Sequence, residues 1–471
     1  MNANLVYNFQ MRLKKQIITL IFVILFIFSF VSCGKNSRTI PKLNYKSIDS
    51  TQKPDQNKFS DSKFGNEIRQ MYDYSIVDEY ISPDKNNKNS KLNNYLAHPD
   101  SIICKDGSIL TTYVKGHGRG EILMSRSYDN GSTWIREQDL PKTFSKSEET
   151  PTLYKLDFKM HPKYKNEIKT LLISGRPGWQ QFIKHGEGFS CSLGDENGKN
   201  WTEFEHFFSP LAQRKKYKEM TGKWNPIVAM ASLIQLKDPN TNQFINKWAG
   251  FFHDYSFKIY KTILTFNDNG EMEWTDPEPV FNKQRRIESL AGLCEPCVFR
   301  DPKSNEIMIL MRAQNRKTQS FFAISTDECI TWNNLTETSS HITGDRHKIT
   351  VDKKTGLLCM TFRDISYYGN NPNPKNQFSR GTMLWIGNYS DIKERKPGLL
   401  LLKLQHSYSK NQNKEKDYTT ADSDTGYCGI VCTTNGHVVV TTYGKFNCKT
   451  KNSIIISKIL NIKKLLEYFK D

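Results

Sequence analysis

Residues 127–134 read SYDNGSTW, and residues 325–332 read STDECITW. Between them lie GDENGKNW, ending at Trp201, and FNDNGEMEW, ending at Trp274. The four tryptophans stand roughly 60 to 70 residues apart, the length of one four-stranded unit with its loops. In each string an Asp or Asn can accept backbone N–H groups in a tight turn, while Gly takes a backbone conformation that other residues resist. The closing Trp is placed to pack onto the sheet.

Around these strings the chain alternates short apolar runs with turn signals. SIICKDGSILTTYV at 101–114, MILMRA at 308–313, LLCMTF at 357–362 and HVVVTTYG at 437–444 are rich in β-branched and aromatic residues. Asp-Gly, Asn-Gly or Thr-Gly bounds most of them. Helical periodicity is confined to about 462–469. The class is therefore all-β, and the repeat narrows it to a β-propeller over about 95–460, with room for six blades of about 60 residues. The run NSIIISKIL at 452–460 is expected to supply the strand that closes the ring.

The N-terminus reads as a processing signal. Arg12, Lys14 and Lys15 precede a charge-free apolar run at 17–31, and FVSC ends at Cys33. This pattern is a secretory signal, too short for a typical membrane span. Small Ser32 before Cys33 is similar to the lipobox of bacterial lipoproteins, which implies lipidation of Cys33 and a membrane-anchored protein, periplasmic or at the cell surface. Residues 1–32 are then the signal, 34–65 a polar tether, 66–94 a lead-in and 95–471 the propeller.

The formal net charge is +18. The lysines are spread along the chain beside many Asn and Ile, which speaks against a nucleic-acid stripe, while a basic balance suits an anionic substrate. Ten cysteines less Cys33 leave an odd number, so they cannot all pair. Cys294 and Cys297 form one CxxC without the second pair or histidines of a zinc site.

The string at 127–134 resembles the Asp-box, S-x-D-x-G-x-T-W, of the sialidase superfamily. Three further stretches resemble bacterial exo-sialidases and imply residue roles. LCEPCVFRDPKSNEIMILMRAQNR at 293–316 implies Glu295 as the base and Arg312 as a carboxylate-holding arginine, with Arg316 as substitute. TGDRHKITVDKKTGLLCMTFRD at 343–364 repeats the layout one blade later and implies Arg346 as the next arginine, with Arg363 the alternative. DTGYCGIVCTTNGHVVVTTYG at 424–444 implies Tyr427 as nucleophile, with Tyr443 second.

The first blade departs from that family. Its usual Arg-Ile-Pro is AHPDSIICKDG here, so Ala97 or His98 stands in the place of the first arginine. The next loop, YVKGHGRGE, lacks the usual aspartate and carries His117, Arg119 and Glu121. Arg119 is a possible replacement for the missing arginine. The acid is His117, Glu121 or Asp100, and His117 leads because imidazole titrates near neutral pH unaided. Glu149 in EETP and Asp254 in FFHDYS resemble pocket-facing positions, and Trp224 is placed to stack on a sugar. The resemblance implies a retaining exo-glycosidase for terminal sialic acid or a related acidic sugar, monomeric and needing no metal or organic cofactor. A propeller glycosidase for another sugar, or a non-catalytic glycan-binding lipoprotein, are the alternatives.

Overall fold

The computed structural model describes residues 46–47, 74–79, 95–175, 188–207, 232–254, 256–365, 381–405, 408–409, 420–421, 424–446 and 452–469. All of these lie in one compact unit, Ile40–Asp471. The signal at 1–32, Cys33, most of the tether and Trp224 lie outside the described residues.

Six antiparallel sheets form a six-bladed propeller. Blade I comprises Leu96–Ile103, Ile109–Lys115, Arg119–Ser127 and Ile135–Arg136. Blade II comprises Ser147–Asp157, Ile168–Gly175, Phe189–Gly194 and Glu205–Phe207. Blade III is built from Ser232–Lys237, Phe244–His253, Ile259–Phe266 and Met272–Trp274. Blade IV uses Leu293–Arg300, Ile307–Ala313, Phe321–Ser325 and Thr336–Glu337. Blade V uses Gly344–Val351, Leu358–Asp364, Thr382–Gly387 and Leu400–Gln405. Blade VI has Cys428–Cys432, His437–Gly444 and Ile454–Asn461.

The outermost strand of blade VI is Ser75–Asp78, from the other end of the chain, antiparallel to Ile454–Asn461. This corrects the sequence expectation, since 452–460 furnishes the third strand of the last blade and not the closing one. The clasp is tied to blade I through Asp78, which is buried. Its carboxylate accepts from Tyr113 Oη at 2.5 Å and from Nε and Nη2 of the Arg136 guanidinium. The tether is also not wholly without structure, because Lys46–Ser47 pairs in parallel with Leu402 and Lys403.

The core is a series of apolar layers between neighbouring blades. One layer joins Phe189 and Leu171 of blade II to Trp248 and Tyr260 of blade III, and another joins Met308 and Phe322 of blade IV to Met360 and Trp385 of blade V. The four repeat strings all span the turn between the third and fourth strands of blades I to IV, and the one in blade III runs on through the fourth strand to Trp274. In two of them the bonding is the same. Asp129 accepts from Thr133 N at 2.8 Å and Thr133 Oγ1 at 2.6 Å, and Asp327 from Thr331 N at 2.8 Å and Thr331 Oγ1 at 2.5 Å. Cys329 takes the position of Gly131 with a φ of 66°, and its N–H reaches Ser325 Oγ at 3.0 Å as that of Gly131 reaches Ser127 Oγ at 2.7 Å.

Each tryptophan then wedges against the preceding blade. Trp134 donates to Ser457 Oγ of blade VI at 3.0 Å, Trp274 meets Phe189 of blade II edge-on at 4.8 Å, and Trp332 meets Phe251 of blade III at 5.9 Å. Trp201 packs with Leu110 of blade I. The C-terminal helix, Ile462–Tyr468, begins at Asn461, whose side chain accepts Lys464 N at 3.1 Å. Among the described residues no helix is long and apolar enough to cross a membrane.

Candidate active site

The innermost strand of several blades begins with the same irregularity. Between Ala97 and Asp100, Cys294 and Cys297, and Asp345 and Lys348, two residues oppose one on the second strand. Within each of these bulges one residue has a positive φ: His98 at 55°, Glu295 at 51° and Arg346 at 51°. A bulge of this kind re-aims a side chain, and a left-handed Glu or Arg is uncommon enough to mark a functional position. The second strands end at the same face of the ring with Arg312 in blade IV, Arg363 in blade V and Tyr443 in blade VI. Tyr427 immediately precedes the innermost strand of blade VI.

These ends converge. Tyr427 Oη donates a short hydrogen bond to Glu295 Oε1. Arg312 Nη1 lies 2.9 Å from Tyr427 Oη and 3.0 Å from Glu295 Oε2. The Arg363 guanidinium stands 4.2 Å from the centre of the Tyr427 ring, and that of Arg346 stands 5.9 Å away. Tyr427 is 8 % exposed, and Glu295 and Arg312 each keep 13 % of their side chain open, so a ligand can reach them.

Burial raises the proton affinity of the Tyr427 phenol, and the Glu295 carboxylate adds to this against the opposing pull of Arg312 and Arg363. Burial alone would raise Glu295 as well. The guanidiniums of Arg312 and Arg346 and the bond from Tyr427 outweigh it and hold the carboxyl below its usual range. The resting pair is therefore a protonated phenol beside an ionised carboxylate.

Asp345 neutralises much of the arginine charge. Its side chain is fully buried and pairs with Arg316 Nη2 at 2.9 Å, while Arg312 Nε lies 3.0 Å away without hydrogen-bond alignment and Arg363 Nη1 lies 3.7 Å away. Arg363 also donates to the Thr425 carbonyl at 2.5 Å and to Tyr443 Oη at 3.1 Å. Arg346 differs. Its Nη2 is buried with no hydrogen-bond partner among the described residues, and its charge acts on Glu295 from a distance.

Across Tyr427 lies a second cluster. The His98 ring is 5.1 Å from the rings of Tyr427, Tyr443 and His117. His117 is largely exposed, and its Nδ1 is 2.9 Å from Asp424 Oδ2. Tyr443 Oη donates to Asp424 Oδ1 at 2.6 Å, and Tyr95 Oη donates to Oδ2. Burial raises the proton affinity of Asp424, and burial, reinforced by His117, Arg363 and Arg346, keeps His98 neutral.

The structure thus brings together Tyr427, Glu295, Arg312, Arg346 and Arg363, with His117 one ring away and Tyr443 beside them. Arg316 serves Asp345. Two expectations need correction. Asp100 is 3 % exposed and spends its carboxylate on Lys348 Nζ at 2.9 Å, Leu153 N at 3.0 Å and Ser101 N at 3.1 Å, so it ties blades I, II and V together. Asp254 is fully buried, accepts Ser256 N at 2.8 Å and Lys258 N at 3.0 Å, and so holds its own turn. Glu121 is 3.7 Å from Lys115, on the strand that begins blade I's third rung. The side chains of Arg119 and Glu149 lie outside those described. Sequence reasoning missed Asp345, Asp424 and His253, whose Nδ1 accepts Glu295 N at 3.3 Å.

No protein-family profile matches this sequence, and no curated protein matches it. Solved structures do. The chain is similar to an α-L-arabinofuranosidase of Fusarium graminearum solved with arabinobiose, at 12 % identity and a TM-score of 0.51 over 83 % of this chain and 98 % of that one. It is similar to an α-L-arabinanase of Penicillium chrysogenum, also solved with arabinobiose, at 12 % identity and a TM-score of 0.51 over 83 % and 97 %. An intramolecular trans-sialidase of Ruminococcus gnavus aligns at 10 % identity with a TM-score of 0.47 over 83 % and 98 %. The class defined is the six-bladed propeller shared with the arabinan-acting enzymes.

Proposed function

We propose that this protein is a retaining exo-glycosidase of the sialidase type, which removes a terminal acidic sugar from glycans. The observation that carries this reading is the joint contact of Tyr427 Oη with Glu295 and Arg312 at one face of the ring. In the first step Tyr427 Oη bonds to the anomeric carbon and its proton passes to Glu295. The bond to the leaving oxygen breaks as that oxygen takes a proton from His117, whose imidazolium Asp424 stabilises. In the second step water attacks the same carbon and gives a proton to His117, and the Tyr427–sugar bond breaks as Glu295 returns its proton. Two displacements give retention. Sialidases are the Tyr-nucleophile case among glycosidases, and a neutral phenol avoids the repulsion between a carboxylate nucleophile and an anionic sugar.

The resting electrostatics fit this sequence. Glu295 is a weak base while Arg312 and Arg346 serve it alone. A substrate carboxylate that engages the same guanidiniums competes for their field and raises the basicity of Glu295 at the moment it is needed. Arg346, with its unpartnered Nη2, is the group that receives that carboxylate.

A second reading, a glycosidase for a neutral sugar such as arabinose, is favoured by His98 standing where the first arginine is expected and by Asp345 engaging three arginines. Two enzymes of similar fold were solved in complex with arabinobiose. A panel of aryl sialosides, uronides and arabinofuranosides identifies the substrate. On it, Tyr427→Phe lowers kcat by orders of magnitude and Glu295→Gln by about 10²–10⁴-fold. Near-parental turnover by Tyr427→Phe excludes the mechanism. Arg346→Ala raises KM on an acidic sugar, and an unchanged KM selects the neutral-sugar reading. We also propose that the protein is exported and lipid-anchored at Cys33.

A further inference from the structure

We infer that His98, His117 and Asp424 form a binding site for a divalent transition-metal ion, zinc by preference, at the rim of the pocket between blades I and VI. One ring nitrogen of each histidine and one carboxylate oxygen of Asp424 all lie within 4.8 Å of one another. Two imidazoles and a carboxylate are a donor set for borderline metals, and three protein donors leave a fourth position open for water or a ligand.

A second observation points to a ligand. His98 is 5 % exposed, and its Nδ1 is buried with no hydrogen-bond partner among the described residues. Buried polar atoms are rarely left so. Asp424 is already oriented by Tyr443 Oη at 2.6 Å, as carboxylate ligands are in metal sites.

The donors must close from their present spread to the spacing of about 3.3 Å that metal–nitrogen bonds of about 2.0 Å impose in a tetrahedron. The side chain able to move is His117. It is largely exposed and lies between Gly116 and Gly118, whose φ values of 130° and 69° only glycine takes freely. Arg363 Nη2, 3.9 Å from Asp424 Oδ1, repels any cation here. That repulsion selects against magnesium and calcium, which offer no strong bond to nitrogen, and in favour of zinc, cobalt or nickel.

The site would take the His117 nitrogen out of proton transfer, so zinc inhibits turnover. This clause rests on the acid role proposed above, whereas the binding itself does not. The test is calorimetric titration of the full-length, chelator-stripped chain in detergent with zinc chloride, repeated with magnesium chloride and followed optically with cobalt chloride. The expected result is one zinc per chain, no magnesium heat, and cobalt d–d bands without thiolate charge transfer. His117→Ala, at an exposed position that leaves the fold intact, and Asp424→Asn each weaken zinc binding at least about tenfold. Absence of zinc binding, parental affinity in either variant, or a cobalt–thiolate band overturns the site. Zinc binding with these properties but undiminished turnover upholds the site and removes His117 as the acid.

Discussion

Two buried groups, His253 and Glu288, set how stability responds to pH. His253 is desolvated by its surroundings, so its pKa falls from 6.5 to about 4. Above pH 6.5 both folded and unfolded chains hold it neutral and its contribution is complete. As pH falls below 6.5 the unfolded chain takes a proton that the folded chain refuses, and about 3 kcal/mol is lost by pH 4. Glu288 works in the opposite sense, because burial raises it to about 7 and its contribution is lost as pH rises from 4.5 through 7. The two overlap, so the readout is a difference. Urea unfolding at pH 7 and pH 5 should show His253→Gln gaining about 2 kcal/mol relative to the parent on acidification. Equal responses would mean that His253 is protonated in the folded state. Of the residues around it, Tyr427, Glu295 and Arg312 were legible in sequence because each stands next to a strand-length apolar run. Asp345 and Asp424 were not, since an acid one or three residues from a candidate looks like any loop carboxylate until the blades bring it to the arginines.

The repeating turn carries its own prediction. Asp129 and Asp327 make matching bonds to a Ser and a Thr on either side, although one turn has Gly and the other Cys329 at the left-handed position. Asp129→Ala and Asp327→Ala should therefore destabilise by similar amounts, about 1–3 kcal/mol in a denaturant titration. A large inequality would show that Cys329 changes the turn. These turns and the long apolar strands were readable because turn chemistry and period-two patterning are local. The strand Ser75–Asp78 was not, for SIVD is four residues in polar surroundings and becomes a strand only by pairing with Ile454–Asn461. The bulges carry a partial signal, since His98 and Glu295 each precede a proline at the start of a strand.

At the scale of the ring, Asp78 is the residue that ties the N-terminal strand to blade I through Tyr113 and Arg136. Asp78→Ala removes the acceptor shared by Tyr113, which keeps Ser125 Oγ at 2.7 Å, and Arg136, and should cost about 1–3 kcal/mol in a denaturant titration. A parental melting temperature would show that strand pairing alone seals the ring. Anchoring is tested separately. Cys33→Ala should move the protein from the detergent phase to the aqueous phase after export in a bacterial host, and unchanged partitioning would place the anchor elsewhere.

That clasp also fixes an order of events. Ser75–Asp78 is synthesised before any of the six blades, whereas its partner Ile454–Asn461 belongs to the sixth of them. Pairings of such long separation form late. A nascent chain thus carries five blades' worth of strands with no way to seal them. For a chain that is exported, as proposed, this is a useful delay: it can thread a translocon as an open string and lock into a ring only after its final blade has arrived on the far side.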